Sequence, residues 1–433
     1  MPDHYDVIIV GGRPAGSTLA ARLGRMGLHV LLLERAVFPS LPPASSPIIY
    51  SPTLKLLDEI GADESAYARN TPHIHRVIGC GRDFATTIRI PDAHGRDYAY
   101  AIDRARFDAA LWDNALRFPT VKGRQGFNVS DLLWDGARVA GVVGHQGKDG
   151  REEQFTGDVV VGADGRYSLV ARKVDAKVYD EYTDYPTSLY YAYWKGVRPY
   201  DDYGASAVAY EGGVGYGFLV MDSADGQTMI GFEGQAVLLN PPPGEVEAFY
   251  LDIVRRNPKI AERIQNAEMV TEVAGMRRIG NLYRAAGGAG WALVGDAYHQ
   301  HDPLDGQGIY NAVFTAKALA WAIGYWKRGE KTWDAALEWY DETARVKTYG
   351  RYKAALASVR QNIYNPQLPG WALTGIRWVM EDPAMHDLMG KTLTRQLPAE
   401  IIALATPPVM VGAMLRGPWR DLRKRLSEMG LPL

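Results

Sequence analysis

Cysteine is almost absent: Cys80 stands alone in 433 residues. That excludes an internal disulfide framework and a thiolate metal cluster, and it fits a reducing compartment, so a cytoplasmic location is the expectation. A surplus of charge is missing too. Lys and Arg number 48 against 50 Asp and Glu, a net charge of −2, so nucleic acid is excluded as a partner on charge grounds. The opening MPDHYDVIIVGG lacks the basic region and apolar run of a signal peptide. No uninterrupted apolar run of about 18 residues is present, so no transmembrane segment is expected. The stretch Ile401–Leu415 comes nearest, but Pro407 and Pro408 break it. It reads as two buried or surface-packed segments, with peripheral contact to a membrane as the alternative.

What remains is a globular mixture, 47% hydrophobic and 23% charged. At about 100–200 residues per domain the length suggests two or three lobes. Tyr5–Val10 is a short β-branched run, the pattern of a buried parallel strand. Gly11 and Gly12 end it, Ala15–Met26 reads as a helix with small residues on one side, and His29–Leu33 as a second buried strand. Between Thr187 and Gly234 the runs SLYYAYWKGV, ASAVAYEG, VGYGFLVM and QTMIGFEG read as antiparallel sheet. Helical pattern follows at Glu245–Arg256, a buried strand at Trp291–Val294, and two or three helices from Ile309 to about Ala357. The last part of the chain, with Pro366, Pro369, Pro383, Pro398 and Pro418, reads as a helical appendage.

Three motifs carry chemistry. In VGGRPAGS, Gly11 and Gly16 hold the first and third positions of G-x-G-x-x-G, with Arg13 at the second. A strand, a glycine turn and a helix N-terminus together suit a pyrophosphate. Glu34, at the end of the second strand, suits the hydroxyls of a ribose. Arg13 either contacts the pyrophosphate or marks a loosened site. In VVVGADGRYSLVARK a buried strand runs into Asp164-Gly165, whose carboxylate suits neighbouring backbone or sugar hydroxyls. In WALVGDAYHQHDPLDGQGIYNAV, Gly295-Asp296 ends a strand, and Gly306 and Gly308 precede a helix whose positive end favours negative charge above the loop.

In this order the three motifs resemble the flavoprotein monooxygenase superfamily of the para-hydroxybenzoate hydroxylase type, over about residues 3 to 345. Geranylgeranyl-reductase-like enzymes and flavin halogenases share that fold. The resemblance implies an α/β architecture: a Rossmann-like FAD-binding domain with an interleaved antiparallel substrate domain and a C-terminal helical region. The expected segments are 1–80, 98–175 and 275–345 for FAD, 81–97 and 176–274 for substrate, and 346–433 for the appendage. It implies FAD binding by Gly11, Gly12, Arg13, Ala15, Gly16, Glu34, Arg35, Arg104, Asp164, Gly295, Asp296, Pro303, Gly306, Gly308 and Asn311. NADPH or NADH would be the electron donor. An Arg expected three residues after Ser168 is replaced by Ala171, with Arg172 beside it.

The halogenase signature W-x-W-x-I-P is not found, and the strand GYGFLVMDSADG lacks the Phe-Pro usual in prenyl reductases. By elimination the first reading is a NAD(P)H-dependent monooxygenase that hydroxylates an aromatic or other apolar small molecule through a flavin hydroperoxide. The alternative is a reductase of a prenyl, quinone or similar substrate, and the remote one a non-redox, prenyl-binding escort-like protein. Tyr191 and Tyr193, and Tyr216 and Phe218, each two apart on a strand, are the substrate-facing candidates. Ser45–Ser51 is expected as a loop beside the flavin. No catalytic residue is assigned, and oligomeric state is left open. No metal is expected: the H-x-H pairs His73/His75 and His299/His301 read as strand alternation and as a structural hydrogen bond, and Cys80 as a small core residue.

Overall fold

The computed structural model describes residues 4–42, 46–81, 84–148, 150–365 and 370–429. Its first sheet follows from the apolar runs. His4–Val10, Val30–Glu34, Glu152–Gly162 and Trp291–Leu293 align in parallel with Val121–Gln125, the N-terminal strand near the middle. Residues Val7 to Ile9 and Val30 to Leu33 are buried on both faces, which is why these strands are continuous in Val, Ile and Leu rather than alternating. The helix Pro14–Arg25 starts with Pro14 in its first turn and packs its small residues against the helix Gly308–Lys327. The antiparallel hairpin of Phe127–Asp135 and Arg138–Gln146 extends the sheet from Glu152–Gly162.

Among the described residues the second sheet has nine strands and is antiparallel apart from one pairing. The 18-residue strand Val178–Lys195 pairs on one side with Gln227–Gln235 and on the other with Ala274–Arg284. Tyr216–Asp222, Ala207–Glu211, Arg76–Cys80 and Ala85–Arg89 complete the order outward. Two of the expected boundaries therefore differ. Arg76–Cys80 and Ala274–Arg284 belong to this sheet, not to the first, because their partners supply the backbone hydrogen bonds. Side-chain alternation gives the sheet two faces. One packs under the helices Val246–Arg256 and Pro258–Arg263. The other meets Ile48–Tyr50 and Ala99–Ala101.

After the helix Trp333–Asn362 the chain crosses the second sheet: Gln235 donates to the Ile363 carbonyl and Tyr364 to that of Pro186. The helices Gly370–Met380 and Pro383–Leu393 follow, and Thr86 ties the sheet edge to the Met380 carbonyl. The last helix corrects the expectation of two broken segments. Ala399–Glu428 is one helix with Pro407, Pro408 and Pro418 inside it, and most of its apolar side chains are exposed. Pro366 and Pro369 lie outside the described residues, as does Ser45 at the start of the expected flavin-side loop.

Candidate functional site

The carboxyl ends of the parallel strands converge on a cleft of about 420 Å³, the place where this kind of sheet binds ligands. Residues of all three motifs line it: Gly11, Arg13 and Ala15, then Glu34, Arg35 and Arg104, and Asp164, Asp296 and Gly308. Gly12, Gly16, Gly295, Pro303, Gly306 and Asn311 are not among its lining residues; Gly16 and Asn311 lie in the helices Pro14–Arg25 and Gly308–Lys327. Gly11 has φ +104°, and a Cβ there would overlap the Ala163 carbonyl. A Cβ on Gly16 would overlap the Gly11 carbonyl oxygen. The close approach of turn and helix thus needs both glycines.

Glu34 is 5% exposed and lies against this turn at the cleft wall. Gly12 N–H donates to its Oε2 at 2.7 Å and Ala36 N–H to its Oε1 at 2.9 Å. Arg13 lines the cleft. Its guanidinium donates to Asp108 Oδ2 at 2.6 Å and to the carbonyls of Ser40 and Leu41. Arg104 donates to the same carboxylate, at 3.0 and 3.1 Å. Asp108 is fully buried, so one carboxylate holds two guanidinium groups at the wall and leaves the trio with a net positive charge.

Asp164 turns to the protein. Ser168 Oγ and the N–H groups of Leu169 and Val170 donate to it, while burial raises its pKa. Asp296 keeps a 40% exposed carboxylate, steadied by Arg166 Nε at 3.3 Å. Arg166, next to the Asp-Gly pair, was not singled out as a site residue; it also donates to the carbonyls of Gly280 and His301, joining both sheets at the cleft. The run of charge in ADGR was the available signal. Arg172 reaches the cleft, where Ala171 is buried behind it.

The loop from His299 to Asn311 is tied to the C-terminal region, a link with no trace in local sequence. Arg395 donates through Nε to Gln307 Oε1 at 2.6 Å and through Nη2 to Asn311 Oδ1 at 3.0 Å. Its guanidinium lies 3.7 Å from the centre of the Tyr310 ring, and burial lowers its pKa to about 10. His301 bonds Asp305 at 3.0 Å. His299 departs from expectation: neither ring nitrogen has a hydrogen-bond partner, and the ring stacks on Tyr283 and His301. Burial holds its pKa well below the ordinary range, so it is neutral.

The second sheet separates the aromatic candidates. Tyr191 and Tyr193 share a face with Leu189, packed against Ile48 and Tyr50. Leu189 pairs in register with Met276, which lines the cleft. Tyr216 and Phe218 point the other way, into the core under Phe249 and Tyr250, because their strand enters the sheet in the opposite phase. Glu233, opposite Leu189, carries an acid onto the Tyr191 face. It lies beside Asp302, which accepts from Thr187 at 2.6 Å. Burial, then the Asp302 charge, raises the Glu233 pKa well above the carboxylate range. Its Oε1 is buried without a hydrogen-bond partner. Only the strand register reveals this acid.

The residues present fit a flavin dinucleotide. The N-termini of Pro14–Arg25 and Gly308–Lys327 both open on the cleft, Glu34 and Asp296 offer carboxylates for hydroxyl groups, and Gly165 and Gly308 leave open space beside them.

Residues 4–348 match the family described as FAD binding domain. A tryptophan 2-halogenase of Chondromyces crocatus is 25% identical over 78% of this chain and 65% of its own length. A digeranylgeranylglycerophospholipid reductase of Methanosarcina acetivorans is 26% identical over 73% of this chain and 74% of that protein. Among solved structures the flavin-dependent brominase Bmp2 superposes with a TM-score of 0.76 at 21% identity, covering 96% of this chain and all of that one.

Proposed function

Because the chain belongs to the FAD-binding-domain family, we propose that it is an FAD-dependent monooxygenase that uses NADPH or NADH and O₂ to hydroxylate an apolar, aromatic small molecule. The observation that supports this reading is the apolar face of the second sheet beside the cleft. Leu189, Tyr191 and Tyr193 meet Ile48 and Tyr50 there, and Met276 continues that surface to the cleft wall. These side chains are packed together as a dry wall, and Met276 is the member that a planar ring in the cleft would meet.

When bound, FAD supplies the redox chemistry and, with O₂, oxygen transfer. The protein's part is position and field. The Gly11–Gly16 turn and the helix behind it hold the diphosphate, and Glu34 holds the ribose next to it. Asp296 holds the ribityl chain. The N-terminus of Gly308–Lys327 would favour negative charge developing on the flavin. Arg395 fixes the loop that carries this helix start.

A second reading, reduction of a carbon–carbon double bond, is favoured by Glu233. That reaction adds a hydride and a proton, and Glu233 is a half-buried acid on the Tyr191 face whose pKa burial and the neighbouring Asp302 raise. One assay separates the readings. The holoprotein is incubated with reduced nicotinamide and panels of phenols and polyprenyl compounds, in air and anaerobically, with bromide as a further variable. A product heavier by one oxygen, formed only in air, is the expected result. A product heavier by two hydrogens that also forms without O₂ would replace hydroxylation by reduction, and bromide incorporation would replace it by halogenation.

A further inference from the structure

Among the described residues Ala399–Glu428 is the one helix long and apolar enough to cross a membrane, and little of it is covered. Its best 18-residue window has a mean hydropathy of 1.3, yet only 6% of that window is buried. A core helix of this composition would be covered, so the burial decides that its apolar residues face outward. They form a stripe. Ile401, Leu404, Val411, Leu415, Trp419 and Leu422 are each 45–74% exposed. At 3.6 residues per turn they fall within about 80° of arc. No charged residue interrupts positions 401–415.

The opposite face is occupied by protein. Arg416 and Arg420 reach Asp382, and Asp421 accepts from Arg377 and from the Trp378 indole N–H. Buried Ala413 and Gly417 allow the close packing. The helix is held along its side, so it can lie on a surface but not cross one.

Past Trp419 the character changes. Arg423, Lys424 and Arg425 follow in succession, on a chain whose net charge is −2. Among the described residues Arg423 and Lys424 have no ion pair. An apolar stripe, a tryptophan at its end and a basic cluster beyond are the elements of a helix that rests in the headgroup region of an anionic membrane. A second copy of the chain matches this surface less well. Parallel pairing would bring the two basic clusters together, and antiparallel pairing would set each against a single acid, Glu400.

We propose that the outer face of Ala399–Glu428 docks this protein on anionic lipid bilayers, with Ile401, Leu404, Val411 and Leu415 in the acyl boundary and Arg423 and Arg425, which flank that stripe, on the headgroups.

The test is flotation of the full-length, flavin-loaded protein with vesicles of phosphatidylcholine alone or mixed with phosphatidylglycerol. The expected result is co-flotation with the anionic vesicles. A basic residue beside an anionic leaflet is worth about fivefold in partition, so R423Q/R425Q should lower binding about 25-fold. L404D/L415D should abolish it. Both sets of changes lie on exposed positions, and retained flavin and an unchanged melting temperature confirm folding. No flotation of the parent protein, or equal flotation of L404D/L415D, would overturn the proposal. So would a dimer by light scattering that L404D/L415D converts to monomer without any vesicle binding, which would assign the face to a second copy.

Discussion

Replacing Glu34 by Ala separates two roles that meet in one carboxylate. Within the protein it accepts the Gly12 and Ala36 N–H groups at 2.7 and 2.9 Å. The Gly12 bond is buried, so its loss leaves an unsatisfied donor and costs about 1–3 kcal/mol of folding stability. In the proposed cofactor role the same carboxylate would accept from two ribose hydroxyls. Hydrogen bonds to a charged group contribute about 1.5–3 kcal/mol each, so at least about 3 kcal/mol of FAD binding should vanish, on the order of 150-fold in Kd. The assay is a fluorescence titration of the deflavinated protein with FAD and, separately, with FMN, which lacks the adenosine half. E34A should bind FAD on the order of 150-fold more weakly and leave FMN affinity nearly unchanged. E34Q, which retains one carbonyl acceptor, should fall between. A folded E34A protein whose FAD Kd stays within about threefold of the parent would refute the assignment. Equal losses for FAD and FMN would also do so, because they would mean that the turn had collapsed rather than that the ribose had lost its partner.

Three further outcomes follow from other parts of the structure. Glu233 binds its proton more tightly folded than unfolded, so stability is greatest below the unfolded carboxyl pKa, about 4.3, and declines as pH rises through it toward the folded value. E233Q should therefore raise the melting temperature at pH 7 and change it little at pH 4; equal shifts at both would reject a raised pKa. Arg395→Ala leaves the Gln307 and Asn311 carbonyls without their donor and removes the ring contact, and it should cost about 2–4 kcal/mol in urea unfolding. Unaltered unfolding would mean that the C-terminal region does not brace the loop. Gly16→Ala places a Cβ against the Gly11 carbonyl oxygen and should yield soluble protein without bound flavin, read from the visible spectrum; full flavin content would show that the turn tolerates the shift.

Legibility in the sequence followed the range of the forces. The parallel strands were readable because burial on both faces demands unbroken apolar runs, and the glycine turns because their backbone excludes a side chain. Glu34 was readable from its place at a strand end. The phase of a strand was not: Tyr216 and Phe218 have the same spacing as Tyr191 and Tyr193, and only pairing turns one pair toward the cleft side and the other away from it. The prolines in Ile401–Leu415 suggested a break that side-on packing and ion pairs to Asp382 override.

The sequence alone determined a parallel α/β sheet with a dinucleotide cleft at its carboxyl edge, because apolar periodicity and glycine positions act over a few neighbouring residues. Only the tertiary structure decided which side chains meet around the cleft and the loop beside it. Arg13 and Arg104 meet at Asp108, Glu233 lies beside Asp302, and Arg395 reaches Asn311 from 84 positions away. These contacts depend on how separate elements dock, and no local pattern encodes that docking.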